Sequence, residues 1–410
     1  MSLRWWPSGG LWRHPDFLRL WGAQAGSAFG SRITRTALPM IAKSIGASAG
    51  EFAVLGALGV APGVVVGLFA GGRVDRSPKR PLLIGSDLVR ALLILTIPAA
   101  AWLGAVSMPQ LYVVAAAVGA ATTLFQIADN TYLPALVGRD QLVEGNSRLE
   151  ATEAVAEAAG PGMAGVLVQL LTAPVAVVVD ALTYLWSALL LSRIRAPEAP
   201  AAAEAGATVR GDVAAGFRAC LEHPLVRPAL FAEAVAAFSG GFFLALYMVL
   251  TLKTLGLSYA AAGLIVSVGG VGALAGPVLA GPLGRRVGTG PALVLSLALG
   301  TAANLLVPLA AGAGKLAVPL LVVHQLVGDA LLGAYLVLAL SLRQRVLPQA
   351  VLGRANAAFH VTAGLMLPAG ALLAGWLAGA AGVPAALWIG ACGGLLAAPA
   401  LAASPVRRLR

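Results

Sequence analysis

The sequence predicts an all-α membrane protein: twelve transmembrane helices in two pseudo-symmetric six-helix bundles, with both termini cytoplasmic. Three observations predict it: the recurrence of bilayer-length apolar runs, the placement of the positive charges, and an internal repeat. Of the 410 residues 59% are hydrophobic and only 11% charged, and the mean hydropathy is +0.86, beyond the range of soluble domains. A bilayer-crossing helix needs roughly 17 to 25 mostly apolar residues. Such runs recur at 17–41, 52–72, 82–104, 110–136, 148–171, 174–193, 227–251, 257–279, 290–312, 316–342, 352–378 and 383–403. Soluble helices would show a polar face at helical spacing, and most of these runs show none. The 50 glycines suit helices packed in lipid, where small residues let backbones approach.

The net charge of +11 invites a nucleic-acid partner, but its distribution excludes one. With the amino terminus inside, Lys43, Lys253 and Lys315 fall on outer loops and Arg32, Arg35 and Arg90 within helices. The other 22 of the 28 lysines and arginines fall in cytoplasmic segments. Such asymmetry is the positive-inside rule, so basicity reports topology. The predicted location is the inner (cytoplasmic) membrane. The first run carries Arg32 and Arg35 and no convincing cleavage site, and reads as a retained helix. Cys220 and Cys392 lie too far apart in the topology for a disulfide and lack metal-ligand spacing, so no metal or cofactor is expected. There is no phosphate-binding glycine loop and no nucleophile setting, so no enzyme is expected.

The repeat sets the architecture. Shifted by 210 residues, GGRVDRSPKRPLL (71–83) falls on GPLGRRVGTGPAL (281–293), matching Gly71, Arg76, Pro81 and Leu83 with Gly281, Arg286, Pro291 and Leu293. The same shift lays Leu142 on Leu352, Asn146 on Asn356, Gly160 on Gly370 and Gly165 on Gly375. Two distant stretches sharing one ungapped offset imply two parallel six-helix halves, an arrangement of transporters whose halves rock about a central site. The expected domains are 1–193, a linker 194–226, and 227–410. Within the linker, APEAPAAAEAGA reads as a flexible tether. Val209, Val213, Phe217 and Leu221 then recur every four residues, as in an amphipathic helix on the inner membrane face.

The loop GGRVDRSPKR concentrates five charges in a chain that has few. It resembles the signature loop between the second and third helices of the major facilitator superfamily, roughly G-x-L-A-D-R-x-G-R-[KR]. Gly71 or Gly72, Asp75, Arg76, Lys79 and Arg80 fit, with Pro78 where glycine is usual. Locally, the glycines permit a tight turn and Asp75 precedes a helix N-terminus. The resemblance implies a latch that holds one half against the other. AEAAGPGMAG (156–165) resembles the family's antiporter motif G-x-x-x-G-P-x-x-G-G, with Gly160, Pro161 and Gly165 in place and Ala156 and Ala164 for glycines. Small residues beside a proline give a kinked helix with a smooth face. LPALVGRDQLVEGNSRLEA (133–151) and LEHPLVRPAL (221–230) resemble the enterobactin-exporter-like branch of drug and siderophore efflux proteins.

The resemblance implies a cavity lined by the first, fourth, seventh and tenth helices and flanked by the second, fifth, eighth and eleventh. Charges at membrane depth are costly and are functional candidates. On this mapping the cavity candidates are Arg32 and Arg35, Gln126 and Asn130, Glu233, His324 and Gln325, and Asn356 and His360. Glu150, Glu153 and Glu157 form a carboxylate stripe on the fifth helix. Six acids at depth (Asp129, Glu153, Glu157, Asp180, Glu233, Asp329) face three bases (Arg32, Arg35, Arg90). Acids left unpaired by arginine are candidates to exchange protons, with Glu157 first, then Glu153, Asp129 and Asp329. Arg32 and Arg35 also have a structural reading, pairing with Asp129 or Glu153. For Asp180 and Glu233 the expectation is a solvated place near a helix end. For His324 and His360 it is a core histidine.

The sequence thus reads as a monomeric secondary transporter exporting a small organic molecule (siderophore, antibiotic or drug-like) by proton antiport. Its partners are that substrate, protons and the lipid bilayer. An importer of the same fold and a transport-inactive membrane sensor or scaffold are the alternatives. Two arginines and no acid in the middle of the first helix favour an anionic or neutral substrate over a lipophilic cation.

Overall fold

The computed structural model describes residues 10–75, 77–137, 141–196 and 209–409, with side chains omitted at 71–73, 75, 135, 209–212 and 350. The described helices are α1 (Pro15–Ser44), α2 (Ala49–Asp75), α3 (Lys79–Trp102), α4 (Met108–Leu136), α5 (Leu142–Leu171) and α6 (Ala173–Ser192). After the linker come α7 (Val209–Glu222), α8 (Val226–Thr254), α9 (Tyr259–Val287), α10 (Thr289–Ala310), α11 (Gly314–Val346), α12 (Gln349–Ala381) and α13 (Val383–Ala402). Among the described residues 11 helices are long and apolar enough to cross a membrane. The first predicted span, α1, is long enough at 30 residues, about 45 Å, but Gln24, Arg32 and Arg35 make it too polar to qualify by composition.

Local chemistry fixes the helix ends. At the start of α1, His14 Nδ1 accepts from Phe17 N–H at 3.1 Å and Pro15 opens the first turn, where its missing N–H costs nothing. The helix closes at Gly46, φ +82°, with Ala47 N–H donating to Ala42 O and Gly46 N–H to Lys43 O. That is a Schellman cap, which needs a left-handed residue. Between α5 and α6 the positive φ falls on Thr172, at +95°. The position 210 residues on is Gly382, at +88°, so one turn recurs with glycine in one half and a β-branched residue in the other.

The two helix groups pack alike. In the first, α1 lies on α5 and α6, α2 on α4, and α3 on α4 and α6; in the second, α8 lies on α12 and α13, α9 on α11, and α10 on α11 and α13. The groups meet along two seams, α5 on α9 and α2 on α12, which the repeat relates to each other.

Three cores describe the result. One holds Leu11, Phe17, Leu20, Leu83, Phe125 and Leu191, all from the first group, at the end carrying the termini. A second holds Val226, Leu293, Leu338, Phe359 and Val406, all from the second group, at that same end. The third joins both groups at the distal end: Met40, Phe52, Leu111 and Val177 with Phe242, Leu250, Ile265 and Ala374. Among the described residues, then, the two groups share a buried apolar core at the distal end, and each keeps its own at the end where the termini lie.

The linker helix α7 packs on α12, where Gly216 lies against the Arg354 carbonyl and Cys220 is buried. Burial pushes the Cys220 thiol up from its ordinary pKa. Its packed face runs through Val213, Gly216, Phe217 and Cys220, and Leu221, expected on that stripe, is 51% exposed. The Val209 side chain lies outside the described residues.

Candidate functional site

Arg32 and Arg35 stand one turn apart on α1, and Glu153 and Glu157 one turn apart on α5, so the two pairs face each other. Gly160 brings the helices together: a side chain there would run into the Arg32 Cβ. Arg32 Nη2 lies 3.0 Å from Glu153 Oε2, Arg32 Nε 2.5 Å from Glu157 Oε2, and Arg35 Nη2 pairs with Glu157 Oε1. Glu157 is therefore held by both arginines and Glu153 by one. Of the acids expected to exchange protons, those left unpaired by arginine among the described residues are Asp129 and Asp329 and not, as the sequence suggested, Glu157 first. Further along α1, Gln24 Nε2 donates to Asp129 Oδ1 on α4 and Trp21 Nε1 donates to Thr152 Oγ1 at 3.0 Å. The arginines thus take Glu153 and Glu157, and Asp129 takes an amide. Arg35 and Glu153 remain 56% and 49% exposed, so the cluster opens into the space between the helix groups.

Across that space lies Asp329 on α11, within electrostatic reach of Glu157. The route is contiguous. Gly270 of α9 lies against the Glu157 carbonyl and Ala158, while its neighbour Gly269 faces Asp329 and Gln325. Among the described residues no cation pairs with Asp329. It follows a π-helical turn, His324–Gly328, the kind of insertion that often marks a functional helix. His324 is a packed histidine: buried, Nδ1 3.2 Å from Ala303 O, with its ring 6.1 Å from those of Phe243 and Tyr247.

Gln126 and Asn130 are exposed on α4, one turn apart and beside Asp129. Glu233, half-buried in the body of α8, lies within reach of Arg343, whose Nε donates to Asn356 Oδ1 at 3.0 Å and whose guanidinium stacks on Phe359 at 4.0 Å. This is a second polar group, separate from the arginine cluster. His360 is exposed on α12 rather than packed.

Asp180, like Glu233, departs from the expected solvated place near a helix end. Asp180 is wholly buried in α6, against Gly30 of α1 and with Thr183 Oγ1 donating at 3.3 Å, because glycine lets α1 close over it. Asp87, unremarked in the sequence reading, is also wholly buried and pairs with Arg90 at 2.5 Å. Its signal was present as an acid and a base three apart in SDLVRAL. Arg90 is further enclosed by Phe125 and Tyr184, whose ring centroids lie 4.5 and 4.2 Å from its guanidinium carbon, and it stands within electrostatic reach of Asp129 and Asp180 as well.

In the signature loop, Gly71 and Gly72 make no turn. They continue α2, which runs through to Asp75, since a helix tolerates glycine when its ends are anchored by packing. The Asp75 side chain and Arg76 lie outside the described residues. Lys79 Nζ donates to Ser77 O at 3.1 Å and to Val74 O; Arg80 Nε donates to Leu191 O at 2.9 Å and its Nη2 to Ser192 O, tying α3 to the end of α6.

The motif on α5 forms the seam with α9. A side chain at Gly165 would strike the Tyr259 carbonyl, one at Gly263 the Pro161 carbonyl, and Gly162 N–H donates to Ser267 Oγ at 2.7 Å. The repeat partners act alike: Gly160 admits α1 and Gly370 admits α8, while Gly165 admits α9 and Gly375 admits Ala53 of α2.

The profile of the Major Facilitator Superfamily matches residues 20–323, well over half of the chain. The chain belongs to the major facilitator superfamily. This major facilitator resembles solved transporters throughout its length. The nucleoside transporter NupG matches with a TM-score of 0.76 at 12% identity, over 95% of this chain and 98% of that one. A bacterial homologue of the iron transporter ferroportin matches at 0.72 in its inward-facing state, at 17% identity over 96% and 99% of the two chains. In its outward-facing state it matches at 0.61, at 15% identity over 95% and 98%. A D-xylose-proton symporter matches at 0.66 and 18% identity, over 95% and 97%. At such identities the likeness carries the fold. No curated protein matches in sequence.

Proposed function

We propose that this major facilitator is a monomeric proton antiporter of the inner membrane, exporting a polar organic molecule that is neutral or anionic. The observation that carries the reading is the cluster of Arg32, Arg35, Glu153 and Glu157, partly exposed between two helix groups whose shared apolar core lies at the distal end. With the termini cytoplasmic, the shared core lies on the outer side, as expected of a transporter that loads its cargo from the cytoplasm. The arginines offer bidentate donors to a carboxylate, phenolate or carbonyl. A substrate hydroxyl or amide that donates to Asp329, which no cation pairs among the described residues, occupies a carboxylate that a proton would otherwise take. Mutually exclusive occupancy is the condition for exchange. The parallel halves then rock about the site, with the loop at Asp75, Lys79 and Arg80 as latch.

The test uses the purified chain in proteoliposomes with charge-matched anionic, neutral and quaternary-ammonium dyes. A pH step should drive anionic or neutral dye against its gradient. Asp329→Asn should abolish that uphill component and keep downhill exchange. Uphill transport that survives Asp329→Asn removes Asp329 from the coupling role, and absence of any pH-driven flux in the wild type removes the antiport reading.

A further inference from the structure

The only lysines at the distal end of the helix pairs α1–α2 and α8–α9 are Lys43 and Lys253, and they lie 210 residues apart, the offset of the repeat. Their surroundings repeat too: KSIGAS (43–48) falls on KTLGLS (253–258). In both halves the glycine has a positive φ, +82° at Gly46 and +63° at Gly256. In both, the serine caps the next helix: Ser48 Oγ accepts from Glu51 N–H at 3.3 Å and Ser258 Oγ from Ala261 N–H at 3.2 Å. Two connections with the same caps hold two lysines in equivalent places.

Each lysine reaches across to the other half. Lys43 Nζ, on α1, sits 4.7 Å from the ring centroid of Tyr259, at the start of α9. Lys253 Nζ, on α8, sits 5.7 Å from the ring of Phe52, in the first turn of α2, and donates to the Ala47 carbonyl just past the end of α1. That end is the negative pole of α1. Lys253 itself lies in a π-helical turn, Leu250–Thr254. We infer that Lys43 and Lys253 form a reciprocal two-fold clasp holding the distal end closed. Each lysine meets an aromatic face, and Lys253 also the Ala47 carbonyl and, within electrostatic reach, the Glu51 carboxylate. Such contacts are weak enough to break in every cycle, and lysine presents a compact ammonium on a flexible stem suited to letting go. Two such contacts placed symmetrically release both seams together, which a single strong ion pair on one side does not.

The clasp stands apart from substrate and coupling ion, and its test reads conformation alone. Spin labels at Ala105→Cys and Gly312→Cys, in the full chain with Cys220→Ala and Cys392→Ala, report the distance between the distal ends of the two halves. Lys43→Gln and Lys253→Gln should each raise the ratio of distally open to closed molecules about two- to fivefold, the weight of one exposed cation–π contact. The double variant should multiply the two. Tyr259→Leu, which keeps both lysines, should reproduce Lys43→Gln and guards against misfolding of either lysine variant. A distance distribution unchanged by the double variant, or an effect confined to one lysine, overturns the reciprocal clasp.

Discussion

At the scale of single residues, the proposed site rests on two arginines that meet two glutamates between the helix groups. Arg32 reaches both Glu153 and Glu157, and Arg35 reaches Glu157. Removing one arginine leaves a carboxylate short of its partner and removes a charge-assisted donor from any anionic ligand. Arg32→Gln and Arg35→Gln are each expected to weaken binding of an anionic dye by about tenfold or more, since a hydrogen bond to a charged group contributes roughly 1.5–3 kcal/mol. Binding of the quaternary-ammonium dye should hold steady or improve. Equilibrium titration by fluorescence measures both, and a wild-type preference for the cation that neither substitution alters would refute the substrate class. Asp87 and Asp180 are a contrasting pair of acids, fully buried away from the cavity, and hold the first helix group together.

At the scale of elements, glycine decides which helices touch. Gly165 lies against the Tyr259 carbonyl and Gly263 on the α5–α9 seam, whereas Gly379 on α12 has open space where a side chain would go. Gly165→Val should open the seam and shift the molecule away from the distally closed state, read as greater labelling of single cysteines near Tyr259. Gly379→Ala should change nothing. Thr172 supplies a second test. Its φ of +95° and ψ of 151° fall in a region that is nearly glycine's alone, at a cost of about 1–3 kcal/mol, and its repeat partner is already Gly382. Thr172→Gly is expected to raise resistance to thermal unfolding in detergent. An unchanged or lower midpoint would mean that the threonine side chain contributes packing worth the strain.

At the scale of the whole molecule, three cores define a state. The distal core is common to both helix groups, and the cores at the terminal end are separate. Transport by alternating access requires the distal core to split. Gly375→Leu on α12, where any side chain runs into Ala53 of α2, should pry the second seam apart and raise the distally open fraction reported by distance labels on the two halves. An unchanged distribution would show that this seam does not set the distally closed state.

The sequence by itself determined the class of the molecule and its doubled architecture. Apolar length, charge asymmetry and one ungapped offset are local or additive properties, so they survive without coordinates. The offset even identified Gly160 with Gly370 and Gly165 with Gly375, which turn out to admit equivalent helix neighbours. It passed over KSIGAS and KTLGLS, because lysines on loops look like topology markers until their cross-molecule partners are known. Spacing placed Arg32 with Arg35 and Glu153 with Glu157, and left open which acid each arginine holds. Only tertiary packing decided that Glu157 is held by two arginines, that Asp129 takes Gln24, that Asp180 is sealed under Gly30, and that Gly71 and Gly72 continue a helix. Pairing in a bundle depends on the rotation and closeness of helices far apart in the chain. A glycine on one helix and a carboxylate on another set that distance together, and neither sequence segment contains it alone.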